Sequence, residues 1–505
     1  MTEKVTKLMR DVPSIRWMAL VLLSMAMFFS YIFMEILSPI QSMLESTKGW
    51  DSISYGNYTG SETFLNVFVF FLIFAGIILD KMGVRFTAIL SGIVMLIGAS
   101  LNWYALTEAF DGAPLQTWFT NNLNFAHPVN QPWNITPFFG EGVDKLGNIL
   151  PAMPASAKLS AVGFMVFGCG VEMAGITVSR GIVKWFRGKE MALAMGTEMA
   201  LARMGVASVM ILSPWVANMF GKPDVSRSVA FGVILLMCAL IMFIVYFFMD
   251  KKLDAQTGEI EEKDEPFKIR DIGKILSSGG FWLVALLCVL YYSAIFPFQK
   301  YAVNMLQCNL GFEEKTAGMI FATFPLLAAA ITPFLGNFID RKGKAATMLI
   351  IGALLMVVCH LTFALILPLF KPTGEEVPVL GTVIAITTIL ILGASFSLVP
   401  ASLWPSVPKL VDSKVIGSAY ALIFWIQNIG LWLFPMLIGR ILQASNQNIV
   451  NNDSLTAAQK SVMYDYTNPL LMLASLGVLA LIFGIVLKRW DKKKNLGLEL
   501  PNIKK

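Results

Sequence analysis

The chain has 505 residues, of which 56% are hydrophobic and only 14% charged, with 39 Lys+Arg against 33 Asp+Glu. A soluble domain interrupts its apolar runs with charge, whereas here runs of roughly 20 apolar residues recur along the whole length, each enough to cross a hydrocarbon core of about 30 Å. This excludes a soluble globular protein. The formal charge of +6 is no nucleic-acid signal, because it gathers in loops on one side.

Twelve membrane spans are expected, centred on 17–38, 58–79, 86–106, 159–179, 190–216, 228–249, 279–301, 316–338, 346–368, 379–403, 416–440 and 466–487. The first is too long for a signal-peptide core and lacks a small-residue cleavage site, so it reads as a membrane helix. With the N-terminus in the cytoplasm, the N-tail, the loops on that side and the C-tail hold roughly 28 of the 39 Lys+Arg. The positive-inside rule then places both termini in the cytoplasm. Glu35 lies near the outer end of the first span and is expected to line an outer vestibule, with snorkelling to the interface as the simpler alternative.

After the second span comes Gly76-Ile-Ile-Leu-Asp80-Lys81-Met-Gly83-Val-Arg85. After the eighth comes Gly336-Asn-Phe-Ile-Asp340-Arg341-Lys-Gly343-Lys344. Both read G-x-x-x-D-[KR]-x-G, six spans apart and in matching short loops, which points to duplicated halves. Each glycine permits close helix approach or a tight turn, and each aspartate can cap or pair across a cytoplasmic gate. The expected organisation is a six-helix bundle over 1–250, a charged linker over 251–275, a second six-helix bundle over 276–490 and a tail over 491–505. A surface helix is expected near 267–275. The loop 107–158 carries Trp118, Phe119, Phe125, Trp133, Phe138 and Phe139, and its length and aromatic content suggest an ordered cap over the outer mouth.

The stretch from Val171 to Arg203 places two opposite charges, Glu172 and Arg203, on adjacent apolar helices. An ionisable group at membrane depth is costly and normally faces a cavity or a partner. At 1.5 Å per residue the two backbones differ in depth by up to about 8 Å, so the side chains either bridge as a structural salt bridge or stand as two poles. Two poles suit a small zwitterion: Glu172 for an ammonium, and Arg203 for a carboxylate that its fork can grip with two hydrogen bonds. Glu198, about 140° from Arg203 on the same helix, is either a proton-titrating carboxylate or a helix contact. Lys300 reads as another snorkelling side chain, and His360 as a packing residue. Tyr292, Trp404, Gln427 and Asn428 are candidate cavity lining, with the tenth span breaking near Trp404-Pro405. Gly430 and Gly439 suggest close helix packing.

No P-loop run, metal-ligand cluster or catalytic constellation is present. The expectation is therefore a non-enzyme without cofactor or metal, whose partners are a small-molecule substrate and membrane lipid, not nucleic acid. The five cysteines have no paired spacing and read as buried thiols.

The twelve-span layout and the doubled loop resemble the major facilitator superfamily, an all-α polytopic fold of two pseudo-symmetric six-helix bundles. Within it, Gly188-Lys189-Glu190, Gly196, Ala202-Arg203, Gly205, Phe296-Pro297-Phe298, Leu403-Trp404-Pro405-Ser406-Val407-Pro408 and Gln427-Asn428-Ile429-Gly430 resemble a lysosomal dipeptide-transporter branch. That resemblance implies a uniporter of dipeptides favouring lysine, arginine or histidine. It implies a glutamate on span four and an arginine on span five at the site, which fall on Glu172 and Arg203. Animal members carry an acidic dileucine sorting signal, absent from Met1 to Arg16, and depend on a luminal glycoprotein. The departures point to a bacterial inner membrane rather than a lysosomal one, and an accessory protein at the outer loop stays open. Two other functions remain: a proton-coupled symporter or exchanger of a small organic anion, and a non-transporting membrane receptor or scaffold.

Overall fold

A computed structural model describes residues 8–122, 153–257, 269–372, 378–411 and 416–501, and these are helical with no strand among them. The first half begins with a 3-10 turn, Met9–Asp11, and α1 (Pro13–Met34). It continues through a short turn, Ser38–Ile40, into α2 (Gln41–Lys48). Then come α3 (Ser52–Ser61), α4 (Phe64–Phe68), α5 (Phe71–Leu106), α6 (Pro114–Asn121), α7 (Ala155–Trp185), α8 (Met191–Ala217) and α9 (Val225–Thr257). A surface helix, α10 (Ile269–Leu276), leads into the second half. That half consists of α11 (Gly279–Leu310), α12 (Glu314–Lys342), α13 (Ala345–Leu361), α14 (Val379–Leu410), α15 (Ile416–Ser445), α16 (Gln447–Val450), α17 (Ala457–Lys460) and α18 (Thr467–Lys494).

Among the described residues, eleven helices are long and apolar enough to cross a membrane. The remaining crossing is the expected second span, and it is broken. α3 ends at Ser61, α4 covers five residues, and Phe70 adopts a left-handed conformation before α5 begins. At the break, Trp425 Nε1 on α15 donates to Val67 O at 3.0 Å, satisfying a carbonyl freed from the helix ladder. The expected break in the tenth span is absent, because α14 stays helical through Pro400, Pro405 and Pro408. Its interior prolines each remove a helix hydrogen bond, which leaves this end of α14 weakly held by its own backbone.

Alternation of the crossings puts the two signature loops, Met9–Asp11, α10 and the end of α18 on one face, here called the terminal face. The long loop after α5 lies on the opposite, loop face. Gly83 (φ 76°, ψ 168°) and Gly343 (φ 74°, ψ −142°) make the two signature turns in a region of backbone space open essentially to glycine alone. Asp80 pairs with Arg180 at 2.6 Å within the first half. Arg85 reaches Asp254 at 3.3 Å, and Lys184 holds both Asp250 (2.6 Å) and Asp254 (2.7 Å). Asp250 is fully buried in α9 and also accepts from Trp185 Nε1 at 2.9 Å.

Of the loop over 107–158, residues 123–152, with Phe125, Trp133, Phe138 and Phe139, lie outside the described residues. The described start is ordered against the bundle. Phe119 on α6 packs with Ala105, Phe110 and Leu159, and buried Lys158 caps α6 by donating to Phe119 O (2.8 Å) and Asn122 O (3.2 Å). All five cysteines are free, four of them buried. His360 packs as expected, its ring on Phe298 (5.3 Å) and its Nδ1 2.9 Å from Met356 O.

Candidate functional site

α12 packs on α8 and α15 on α3, so the two halves touch directly, and the way they touch decides what lies between them. At the loop face they are closed. Gly439 on α15 sits against the backbone of Ser52 at the start of α3, and Gly318 on α12 against that of Met210 on α8, approaches that any side chain would block. Across this seam Ser42 Oγ donates to Glu314 (2.8 Å) and Gln307 (3.1 Å). Tyr464 donates to Glu45, and Tyr55 donates to Lys300 O (2.8 Å).

The charged centre of the seal is Lys300 on α11. It does not snorkel. Its ammonium is buried, 3.0 Å from Glu35 and 3.6 Å from Glu62, and donates to Met34 O at 2.9 Å. Glu35 also accepts from Gln299 (2.7 Å) and Ser38 (2.5 Å). It is 1% exposed, so instead of lining an outer vestibule it helps close one. Pairing this complete offsets much of the cost of burying an ionised group at this depth.

Beneath the seal a cavity of about 1240 Å³ extends to the terminal face, where Arg10, Asp80, Arg180, Lys184 and Arg187 stand at its mouth. Every residue singled out for the site lines it: Glu35, Glu172, Glu198, Arg203, Tyr292, Trp404, Gln427 and Asn428. Its size fits a small-molecule or peptide ligand with water to spare. Arg203 crosses from α8 to the second half, where Nη1 donates to Ala328 O (2.8 Å) and Thr332 Oγ1 (2.5 Å) on α12. Its guanidinium lies 5.3 Å above the Phe396 ring. The other donors, Nη2 and Nε, form no hydrogen bond with the described residues, leaving the fork open to a ligand.

Glu172 on α7 and Asn428 on α15 line the same cavity. Glu172 and Arg203 form no ion pair with each other. Glu198 shares the cavity wall with Arg203 despite its angular offset on the helix, and has no partner among the described residues. Tyr292, stacked on Phe296 (5.4 Å) and accepting from Trp404 Nε1 (3.2 Å), builds an aromatic wall with Phe424. Gln427 accepts from Cys288 at 3.3 Å.

Sequence reasoning missed Glu62 and Tyr31, which also line the cavity. Glu62 falls inside an expected span and meets the same criterion of membrane cost that singled out Glu172. Tyr31 has no such signal, since a tyrosine in an apolar helix is unremarkable until its neighbours Glu62, Glu172 and Glu198 are placed around it.

The profile described as Major Facilitator Superfamily matches residues 146–435, more than half of the chain. The chain belongs to the major facilitator superfamily. Among curated superfamily members, the lysosomal dipeptide transporters MFSD1 of Danio rerio and Homo sapiens are 29% and 26% identical to it. The alignments cover 59% and 60% of this chain and 63% of each relative. The chain thus matches less than two thirds of their length. Solved superfamily structures share the fold: the nucleoside transporter NupG (TM-score 0.63, 12% identity, covering 93% of this chain and 99% of that one). A structure of proton-dependent oligopeptide transporters gives a TM-score of 0.59 at 12% identity, covering 94% and 99%. The protein is therefore a multi-pass membrane protein of the superfamily.

Proposed function

We propose that this protein carries dipeptides across a membrane by alternating access, as a uniporter. One observation carries the reading: Arg203 and Glu172 line the same cavity at membrane depth without pairing, and Arg203 keeps donors free. Uncompensated charges of opposite sign are costly there, and a zwitterion with separated ammonium and carboxylate neutralises both. The likeness to dipeptide transporters supports the same assignment. Tyr292, Trp404, Gln427 and Asn428 would flank the peptide, and Glu35 would act through the seal.

The Lys+Arg asymmetry supports a cytoplasmic position for the terminal face, and on that reading the conformation described opens inward. Gly76 and Gly336 of the signature loops have open space around them here. With Asp80, Lys81, Gly83, Arg85, Asp340, Arg341 and Gly343 they would form the gate that closes this side when the loop face opens.

Glu198 favours a second reading. An unpaired carboxylate beside an arginine in a cavity is suited to carry a proton, which would make the protein a proton-coupled symporter or exchanger of a small organic anion. Uptake of a labelled dipeptide into proteoliposomes tests both. The uniport reading expects flux that is lost in Arg203→Ala and unchanged when the proton gradient is collapsed. Uptake of a labelled dicarboxylate in its place, following the proton gradient and vanishing in Glu198→Gln, would establish the second.

A further inference from the structure

After α18 the chain turns at Asn495 and Gly497, both with positive φ (51° and 79°), and residues 496–501 run back across the terminal face of the second half. Leu498 is fully buried, and its N–H donates to Asp491 Oδ1 at 3.0 Å. The segment then meets the second signature loop. Lys344 N donates to Glu499 O and Ala345 N to Leu498 O, each at 3.1 Å. The Glu499 carboxylate accepts from Thr347 N (2.9 Å) and Thr347 Oγ1 (2.7 Å). α13 starts at Ala345 with no cap from its own N-cap side chain. Its orphan N–H groups at the first turn are thus satisfied from 150 residues away, with a carboxylate at the positive end of the helix dipole. A Cβ on Gly343 would collide with the Glu499 carbonyl, so this glycine of the repeated motif serves two needs, the turn and the docking of the segment.

A third contact links this segment to the transport cavity. Lys409 Nζ, at the end of α14, donates to Gly497 O at 2.9 Å. The end of α14 contains Pro400, Pro405 and Pro408, so its backbone alone holds it weakly. The same stretch contributes Pro400 and Trp404 to the cavity wall. Anchoring Lys409 therefore sets the position of a bendable helix end that borders the open mouth.

We propose that residues 496–501 are a conformational strap: they cap α13, tether the end of α14 through Lys409, and thereby bias the carrier towards the state open at the terminal face. The capping role alone would change only stability. The tether changes the balance between the two access states, because its contacts exist in one position of α14 and are lost when that end swings inward.

The test uses the full chain bearing Met199→Cys. Met199 lines the cavity and is exposed, and none of the five native cysteines borders it. The rate at which a polar maleimide labels this thiol reports how often the terminal mouth is open, and thermal unfolding is measured in parallel. In Lys409→Met the ratio of open to closed forms should fall by roughly tenfold, the effect of one charge-assisted hydrogen bond on a two-state equilibrium, and labelling should slow by the corresponding drop in the open fraction. A chain ending at Lys494 should slow at least as much. Labelling at the parent rate in Lys409→Met would overturn the proposal, even with a lowered unfolding temperature, and would leave the segment a helix cap. If the shortened chain fails to fold, Lys409→Met alone decides.

Discussion

At the scale of single residues, the cavity is defined by charge placed where lipid forbids it. Arg203→Lys keeps the charge but loses the fork, and Glu172→Gln keeps the shape but loses the charge. Each is expected to weaken peptide binding by about 1.5–3 kcal/mol, the worth of a hydrogen bond to a charged group, as measured by calorimetric titration. Normal affinity in both variants would place the site elsewhere. A pH effect belongs to Asp51, outside the spans, which caps α3 by accepting from Ser54 N at 2.8 Å. Burial pushes its carboxyl up, partly offset by the bonds from Ser54. With the folded value raised, its stabilising contribution is full below the ordinary carboxylate value of about 3.9 and is lost as pH rises through the folded one. Asp51→Asn keeps the cap oxygen and removes the titration. The unfolding temperature of the native protein relative to this variant should therefore fall as pH is raised, and a constant difference would contradict the assignment. That Glu172 and Arg203 would face a cavity was legible in the sequence because membrane cost is a local property. That Glu62 and Glu35 share Lys300 was not, because the pairing joins positions some 240 to 265 residues apart.

At the scale of elements, the repeated signature loop was readable as a motif, and its glycines owe their place to backbone geometry. Gly83→Ala forces a side chain into a region open essentially to glycine, at a cost of about 1–3 kcal/mol. Denaturation in detergent should show that loss, whereas unchanged stability would mean the turn can relax into another form. The twelve-span count followed from apolar run length. The break in the second crossing did not, since neither proline nor glycine marks residues 62–70. It is stabilised by α15, through Trp425 on Val67 O and the Phe70–Trp425 stack at 5.3 Å, a tertiary cause with no local signature. The converse error was the break expected in α14, where proline was over-read: the helix continues through Pro400, Pro405 and Pro408 to Leu410.

For the whole molecule, alternating access requires that the loop-face seal be breakable. Lys300 is the central charge of that seal, and Lys300→Met leaves Glu35 buried without its counter-ion, a change of about 3–5 kcal/mol in buried ion pairs. The seal exists in only one of the two access states, so that cost falls on the state open at the terminal face. The variant should populate the opposite state, seen as a wider loop-face separation between spin labels on the two halves. An unchanged separation would show that the glycine contacts of α3, α15, α8 and α12 close the seam unaided.

The most direct test of the central claim is thermal unfolding of the purified protein with dipeptides, free amino acids, tripeptides and dicarboxylates. A ligand bound to the folded state stabilises it by RT ln(1 + [L]/Kd), about 2.7 kcal/mol at a hundredfold excess over Kd. The account predicts stabilisation by dipeptides that disappears in Arg203→Ala. Stabilisation by dicarboxylates, with dipeptides silent, would contradict it.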